Sequence, residues 1–152
     1  MPTGNPKAGW QGVIYYSATA GTALSAMTLI GNNVRDVKIG GGGKNLFDAT
    51  TRANAGTKGY IAGLTDVEVT IPVVYRKDEP FQAALLSAMQ AGTPIAIAFL
   101  TDTKANTGEG WSGDWLIGGG NLDQPLDDGQ VFEFTAKPWA GGTVAWVVAA
   151  AS

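Results

Sequence analysis

The sequence predicts a mainly β fold of the sandwich or barrel-like type, with one flanking α-helix and a long inter-strand loop. Three observations support this fold class. Apolar and polar residues alternate along residues 64–75, the pattern of a strand with one buried face. Further short segments rich in β-branched and aromatic residues are separated by glycine-rich turns. Helical spacing of apolar residues is confined to residues 78–91, and many strands with one helix are typical of a sandwich or barrel.

The strand at residues 64–75 is the clearest element, with Val67, Val69, Ile71 and Val73 on the predicted core face. Pro72 lacks an amide hydrogen, so we expect it at a bulge or a free edge. The other predicted strands are residues 10–18, 24–30, 34–39, 93–100, 115–117, 131–136 and 143–149.

The predicted helix has recognisable ends. Pro80 fits the first turn, where its missing amide hydrogen is not needed, and Gly92 suits the left-handed position that ends a helix. One face is apolar and is predicted to pack on the sheet; it consists of Phe81, Ala84, Leu85, Ala88 and Met89.

A chain of 152 residues is long enough for one domain with a substantial core. Residues 1–9 contain two prolines and are predicted to be a flexible N-terminal arm. Residues 40–59 begin with four consecutive glycines and are predicted to be a long loop, while residues 139–152 form a C-terminal segment. With no signal peptide and no run of about 18 apolar residues, we expect a protein made in the cytoplasm without a membrane partner.

Composition argues against most enzyme classes. The chain contains no cysteine and no histidine, which removes disulfides, thiolate nucleophiles and the commonest general base and metal ligand. The net charge of −3 argues against a basic groove that grips phosphates. Charged residues make up only 15 %, below the usual share of about 25 %. We therefore expect a non-enzymatic protein without a cofactor, whose surface is partly covered.

Two glycine runs superficially suggest nucleotide binding. A phosphate-binding loop ending at Lys44 requires glycine at position 38 and serine or threonine at position 45, and these positions hold Lys38 and Asn45. The run at residues 118–120 lacks the dinucleotide spacing and is interpreted as a bulge or kink in a strand.

Three aspartates cluster in residues 121–129, namely Asp123, Asp127 and Asp128. Their spacing lacks the alternation and the closing glutamate of a calcium loop. The segment is therefore interpreted as a hairpin turn that ends in Asp128 and Gly129.

Five tryptophans admit two interpretations. They are suited to stacking on sugars or bases, and they are also enriched in cores and at protein interfaces. The acidic balance of the chain favours the interface interpretation. The tryptophans are Trp10, Trp111, Trp115, Trp139 and Trp146.

The order of these segments resembles the major tail tube proteins of long-tailed, siphovirus-type bacteriophages and related phage-like particles. The resemblance covers roughly residues 30–138 and is carried by an ordered set of segments. These are residues 34–39, the Thr-Arg element in 48–52, the Gly-Leu step and alternating strand in 60–69, the helix at 81–90, and residues 92–97, 113–115 and 131–135.

The resemblance implies a structural virion protein that self-assembles into stacked hexameric rings. The rings form the tail tube, through which DNA is ejected without specific binding. Implied partners are further copies of the chain, the tape measure protein, and the tail tip and terminator proteins. The implied location is the virion tail.

The resemblance also assigns residues to surfaces. Family members contact the neighbouring ring or subunit through the loop that corresponds to residues 40–59, which makes Phe47, Thr51 and Arg52 contact candidates. Residues that alternate opposite the apolar strand faces are candidates for the lumen lining, or else they face outward as ordinary solvated side chains. They are Asp66, Glu68, Thr70, Glu133 and Thr135.

Other functions stay open at this stage. A tail terminator, a capsid decoration protein and the inner tube of a contractile or secretion-type machine are neighbouring roles. A carbohydrate-binding β-sandwich that uses the tryptophans is a different class, and titration with sugars would distinguish it from self-assembly.

Overall fold

The computed structural model describes residues 12–30, 34, 37–126 and 129–149. These residues form eight strands and one α-helix. The strands are β1 (Val13–Ser17), β2 (Thr28–Leu29), β3 (Lys38–Asp48), β4 (Tyr60–Val74), β5 (Ile95–Leu100), β6 (Glu109–Asp123), β7 (Val131–Pro138) and β8 (Ala145–Val148), and the helix is α1 (Pro80–Ala91). Three short 3-10 turns lie at Leu24–Ala26, Arg52–Asn54 and Lys104–Asn106.

All eight strands belong to one antiparallel sheet with the order β2-β1-β5-β6-β7-β4-β3. Strand β8 pairs with the first half of β6, from Glu109 to Ser112, whereas β7 pairs with the second half. Strands β1 and β4 lie near opposite ends of this order, yet both contribute side chains to the same core. The sheet therefore curves around α1. The mainly β, barrel-like fold with one flanking helix is thus confirmed.

The core lies between the concave face of the sheet and α1. The alternation predicted for β4 is confirmed, because Val67, Val69, Ile71 and Val73 are all buried. Trp115 is fully buried at the centre, where its indole N–H donates to the Ile97 carbonyl and its ring meets Phe99 edge to face. This buried hydrogen bond satisfies the polar end of an otherwise apolar side chain.

Helix α1 begins and ends as its sequence predicts. Pro80 occupies the first turn, and Gly92 takes a left-handed conformation with φ of 69°. The apolar face packs on the core: Phe81, Leu85 and Ala88 are buried, and Ala84 and Met89 are partly buried against the same cluster. Phe81 also contacts the ring of Tyr16 from β1, which joins the helix to the far side of the sheet.

Strand β5 is buried on both faces. Its second face, with Ala96, Ala98 and Leu100, is covered by a smaller cluster that includes Tyr15 and Met27. The ammonium group of Lys104 holds this cover in place. It donates to the carbonyls of Leu24 at 2.8 Å and Met27 at 3.0 Å, and it lies 4.6 Å from the centre of the Tyr15 ring. Sequence reasoning did not predict this second cluster.

Several predicted boundaries need correction. The predicted strand at residues 24–30 is shorter than expected: Leu24–Ala26 form a 3-10 turn, and Thr28–Leu29 form β2, which pairs with β1. At residues 34–39, Val34 makes an isolated bridge to Val73 before β3 begins. Strand β6 starts at Glu109, earlier than predicted, because residues 110–115 pair along β5.

The glycines at 118–120 do not end β6. They lie at a register shift between Gly118 and Asn121, which confirms the predicted bulge. Pro72 pairs with Glu133 of β7 and lies beyond the last described pair of the β3–β4 ladder, Lys38 with Thr70. The predicted N-terminal arm at residues 1–9 lies outside the described residues.

Shortening Leu85 tests the packing of α1. Leu85→Ala removes a fully buried side chain and leaves a cavity, so we expect the free energy of unfolding to fall by about 2–5 kcal/mol. Ser87→Ala, at an exposed position of the same helix, is the matched control and should change it by less than about 0.5 kcal/mol. Urea denaturation measures both, and an equal effect of the two substitutions would contradict the packing.

Candidate assembly surface

Strands β3 and β4 extend beyond the core as a projecting hairpin, which we call the arm and define as residues 44–62. The predicted loop at residues 40–59 is therefore wrong in its first half. Residues 38–48 form β3 and pair with β4 from Lys38 opposite Thr70 to Asp48 opposite Tyr60, so the loop is confined to residues 49–59. Residues 38–48 lack the apolar and polar alternation by which a strand is recognised in a sequence. They form a strand because their backbone hydrogen bonds pair with β4.

The glycine run allows the ladder to bend at the base of the arm. Two register shifts separate Gly41 from Lys44 and Lys44 from Leu46. Gly41 has a φ of 78°, and a Cβ atom there would collide with the Asp66 carbonyl. Glycine is required at this position, because a side chain would have both an unfavourable backbone conformation and no space.

The arm exposes four large apolar side chains, which we call the arm patch. Leu46, Phe47, Tyr60 and Ile61 are 67 %, 59 %, 56 % and 60 % exposed, respectively. Phe47 lies opposite Ile61, and Leu46 and Tyr60 lie on the other face of the hairpin, since side chains alternate along a strand. Apolar surface concentrated in this way is typical of a protein interaction site.

The three predicted contact residues all lie on the arm. Phe47 belongs to the arm patch, and Thr51 and Arg52 are exposed in the loop at its tip. Leu46, Tyr60 and Ile61 were missed by the sequence reasoning. The signal was available in the pattern Leu-Phe and Tyr-Ile on either side of a polar loop, which is that of a hairpin with apolar pairs.

Hydrogen bonds close the base of the tip loop. The Ala49 N–H donates to the Gly59 carbonyl at 2.9 Å, and the Gly59 N–H donates to the Thr50 hydroxyl oxygen at 3.0 Å. The Thr50 hydroxyl and backbone N–H both donate to the Asp48 carboxylate, and these bonds lower the pKa of Asp48 below its usual range. The loop thus has a defined entry and exit at the end of the ladder.

The sheet face opposite the core carries the predicted lumen residues. Asp66, Glu68 and Glu133 are exposed, and Thr70 lies directly opposite Thr135 in the β4–β7 ladder. The structure therefore places all five on one polar face.

Basic side chains share this polar face. The Lys137 ammonium lies 3.6 Å from the Glu68 carboxylate, with both side chains more than half exposed. Lys38 lines a shallow groove along β3 and β4 with Asp66, Glu68 and Thr70. The face is mixed in charge, so it has none of the dense positive potential that holds nucleic acid.

The tryptophans divide between core and surface. Trp115 is a core residue, so the interface interpretation is wrong for it. Trp111 packs against the core and meets Trp146 edge to face, and Trp146 is half exposed on β8. Trp10 lies outside the described residues. Trp111 and Trp139 are partly buried, and of the four described tryptophans only Trp146 is exposed, so these four form no exposed row on which a sugar chain would stack.

The acidic segment joins two paired antiparallel strands, as expected for a hairpin connection, while the predicted end of the turn at Asp128 lies outside the described residues. Strands β6 and β7 pair up to Asp123 opposite Val131, and residues 124–130 connect them. Asp127 and Asp128 lie outside the described residues. Within the described ranges, no group of three or more acidic side chains is arranged to hold a metal ion.

No described helix has the length and apolarity needed to span a membrane.

The curved sheet, helix α1 and the projecting arm together make up a fold that is also found in solved structures. It is shared over nearly the whole chain with a chain of the SPP1 tail tube, solved by solid-state NMR and electron cryo-microscopy. The TM-score is 0.70 at 14 % sequence identity, covering 95 % of this chain and 80 % of that one.

Two structures of gene transfer agent particles have the same fold. A chain in the virion of a native particle matches with a TM-score of 0.70 at 12 % identity, covering 93 % of this chain and 99 % of that one. A chain in the tail of an empty particle, resolved with C6 symmetry, matches with a TM-score of 0.68 at 11 % identity over the same shares. No protein-family model matches the sequence, and no curated protein matches it.

Two glycines of the same run provide a matched test of the arm. Gly41→Ala forces a left-handed residue with a side chain against the Asp66 carbonyl, whereas Gly43 has open space around it and no left-handed conformation. We expect Gly41→Ala to destabilise the arm by at least about 1–2 kcal/mol, seen as faster amide exchange in residues 44–48. Gly43→Ala should leave exchange within about twofold of the parent, and equal effects would contradict this geometry.

Proposed function

We propose that this chain is a structural, non-enzymatic subunit that assembles with copies of itself into the tube of a phage-type tail. The observation that carries the proposal is the shared fold, which spans 93–95 % of this chain in subunits of two kinds of tail-bearing particle. The exposed arm patch also supports self-assembly, because an exposed apolar surface of this kind favours burial against another copy.

The proposed tube is a stack of six-membered rings. The C6 symmetry of one structural neighbour supports this number. Edge strands of a sheet present unpaired backbone groups, and β8 pairs with one described strand, β6, and exposes Trp146 and Val148. Joining sheets edge to edge between subunits would satisfy these groups and close a barrel around the bore.

The arm is the proposed contact between subunits of adjacent rings. Phe47, Thr51 and Arg52 lie on the part of the chain that projects farthest along β4 from the core. An aromatic anchor with a neighbouring arginine is the residue combination that dominates the energetics of many protein interfaces. Burial of the arm patch would then stabilise each ring on the next.

The polar sheet face is the proposed wall of the bore. Asp66, Glu68 and Glu133 would face passing DNA, with Thr70 and Thr135 between them. The carboxylates repel the phosphates of DNA. The salt bridge between Lys137 and Glu68 partly neutralises the Lys137 ammonium, which would otherwise attract phosphates. A wall of this kind lets DNA pass without specific binding, which a conduit for DNA ejection requires.

The remaining partners follow from the tube itself. A tape measure protein would occupy the bore before DNA, and tip and terminator proteins would close its two ends. The subunit would be made in the bacterial cytoplasm and reside in the virion tail.

Electron microscopy of concentrated protein tests the proposed function directly. We expect rings or tubes with a central channel, because the arm patch and the sheet edges favour association. Sedimentation at rising protein concentration is the companion measurement. A species that stays monomeric across protein and salt concentrations would contradict the proposal.

Reversing one charge on the polar face tests its orientation in the tube. Asp66→Lys should leave tubes intact but make them bind DNA, with an affinity that falls as salt rises because counterions are released. Glu109→Lys, an equal charge change at an exposed position on β6, is the control and should not bind DNA. If tubes of the Asp66→Lys variant ignore DNA at low salt, the polar face lies on the outside of the tube.

A further inference from the structure

The molecule has a second exposed apolar patch at the end opposite the arm, which we call the turn patch. It consists of Tyr75, Leu122 and Leu126, of which Leu126 is fully exposed. Tyr75 follows β4 directly, and its N–H donates to the Gln130 carbonyl just before β7 begins. Leu122 lies near the end of β6, and Leu126 lies in the turn between β6 and β7.

The two patches are separated by the length of β4. The arm patch surrounds Tyr60 at its start, and the turn patch adjoins Val74 at its end, where β4 pairs with Val131. Fifteen strand residues at about 3.3 Å each span roughly 45 Å. The patches cannot meet within one subunit, whereas they can meet between two copies that follow one another along β4.

The two ends also carry opposite charge. Residues 44–60 contain three cations, Lys44, Arg52 and Lys58, against the single anion Asp48, for a net charge of +2. Of the described residues in 122–130, Asp123 is an anion and none is a cation, for a net charge of −1. The neighbouring residues 75–79 contain two cations and two anions, which cancel.

Charge and apolar exposure both favour contact between the arm of one copy and the turn patch of another. Two arms facing each other would bring like charges together and close a dimer. An arm facing a turn would bring opposite charges together around an apolar centre, the arrangement that fixes the orientation of an interface. Such a head-to-tail contact uses two different surfaces and repeats without closing, which is what a filament requires.

We propose that the arm patch of one copy binds the turn patch of the next copy along the tube axis. Arg52 and Lys58 lie beside the apolar contact on one side, and Asp123 lies beside it on the other. The partner is a second copy of this chain. This inference rests on the proposed function and adds to it the surface that receives the arm.

Thiol-specific crosslinking tests the contact, since the chain has no cysteine to give a background. Ala53→Cys in the arm tip and Gln124→Cys in the β6–β7 turn are exposed changes that leave both patches intact. We expect the double variant, assembled and treated with a short bis-maleimide, to give a ladder of trimers and larger species on denaturing gels. Each single variant should give at most about a tenth of that crosslinked product.

Ala53→Cys with Ala145→Cys is the matched control, because Ala145 is also exposed but lies on β8. A ladder from this control as strong as from the first pair would overturn the proposal, as would dimers from Ala53→Cys alone, which indicate arm-to-arm contact. Tubes without any ladder would overturn it while leaving the proposed function standing. Absence of tubes from the parent chain would overturn both.

Charge reversal gives an independent measurement on the same contact. Arg52→Glu should reduce tube yield about tenfold at low salt, because it places like charges at every junction. Adding Asp123→Lys to the same chain should restore the yield to within about threefold of the parent. Failure of this second change to restore assembly, with the fold intact by circular dichroism, would overturn the proposal.

Discussion

The structure depends on the pairing of β4 with two different partners along its length. From Val69 to Val74 it pairs with β7 inside the domain, and from Tyr60 to Thr70 it pairs with β3. Where the two ladders overlap, around Val69 and Thr70, the strand is central and its alternate residues are buried. Before Val67 it leaves the core and carries the arm, so one continuous strand joins the stable centre of the molecule to its projecting surface.

This arrangement explains how apolar residues are tolerated outside the core. The backbone of the arm is satisfied by the β3–β4 ladder, so the hairpin needs little core of its own to keep its hydrogen bonds. Its side chains are then free to be apolar on both faces. An isolated two-stranded hairpin is only marginally stable, so attachment to the sheet through β4 is what makes the arm a defined surface.

Elements that are determined by neighbouring residues in the sequence could be predicted. The alternation of Val67, Val69, Ile71 and Val73 identified β4, and Pro80 with Gly92 identified both ends of α1, because these patterns require no knowledge of the rest of the chain. The bulge at Gly118–Gly120 was predictable for the same reason.

Features fixed by distant contacts were not predictable. Gly40 and Gly41 have no side chains to alternate, and their strand conformation follows only from pairing with residues 67 and 68 of β4. The cover over β5 depends on Lys104, which reaches carbonyls some 80 residues earlier in the chain. The turn patch went unnoticed because Tyr75, Leu122 and Leu126 are far apart in sequence and share one end of the sheet only through strand pairing. On the arm, the family resemblance identified Phe47, Thr51 and Arg52 from the sequence. The neighbouring apolar residues could be identified only once the β3–β4 hairpin was known.

If subunits stack through the arm, the arm changes its environment on assembly more than the core does. Hydrogen exchange measured by mass spectrometry on free subunits and on assembled particles tests it most directly. We predict that amides in residues 44–62 exchange at least about tenfold more slowly after assembly, while those in residues 67–73 of β4, whose alternate side chains are buried, are unchanged. Equal exchange of the arm amides in free subunits and in clearly assembled particles would contradict stacking through the arm.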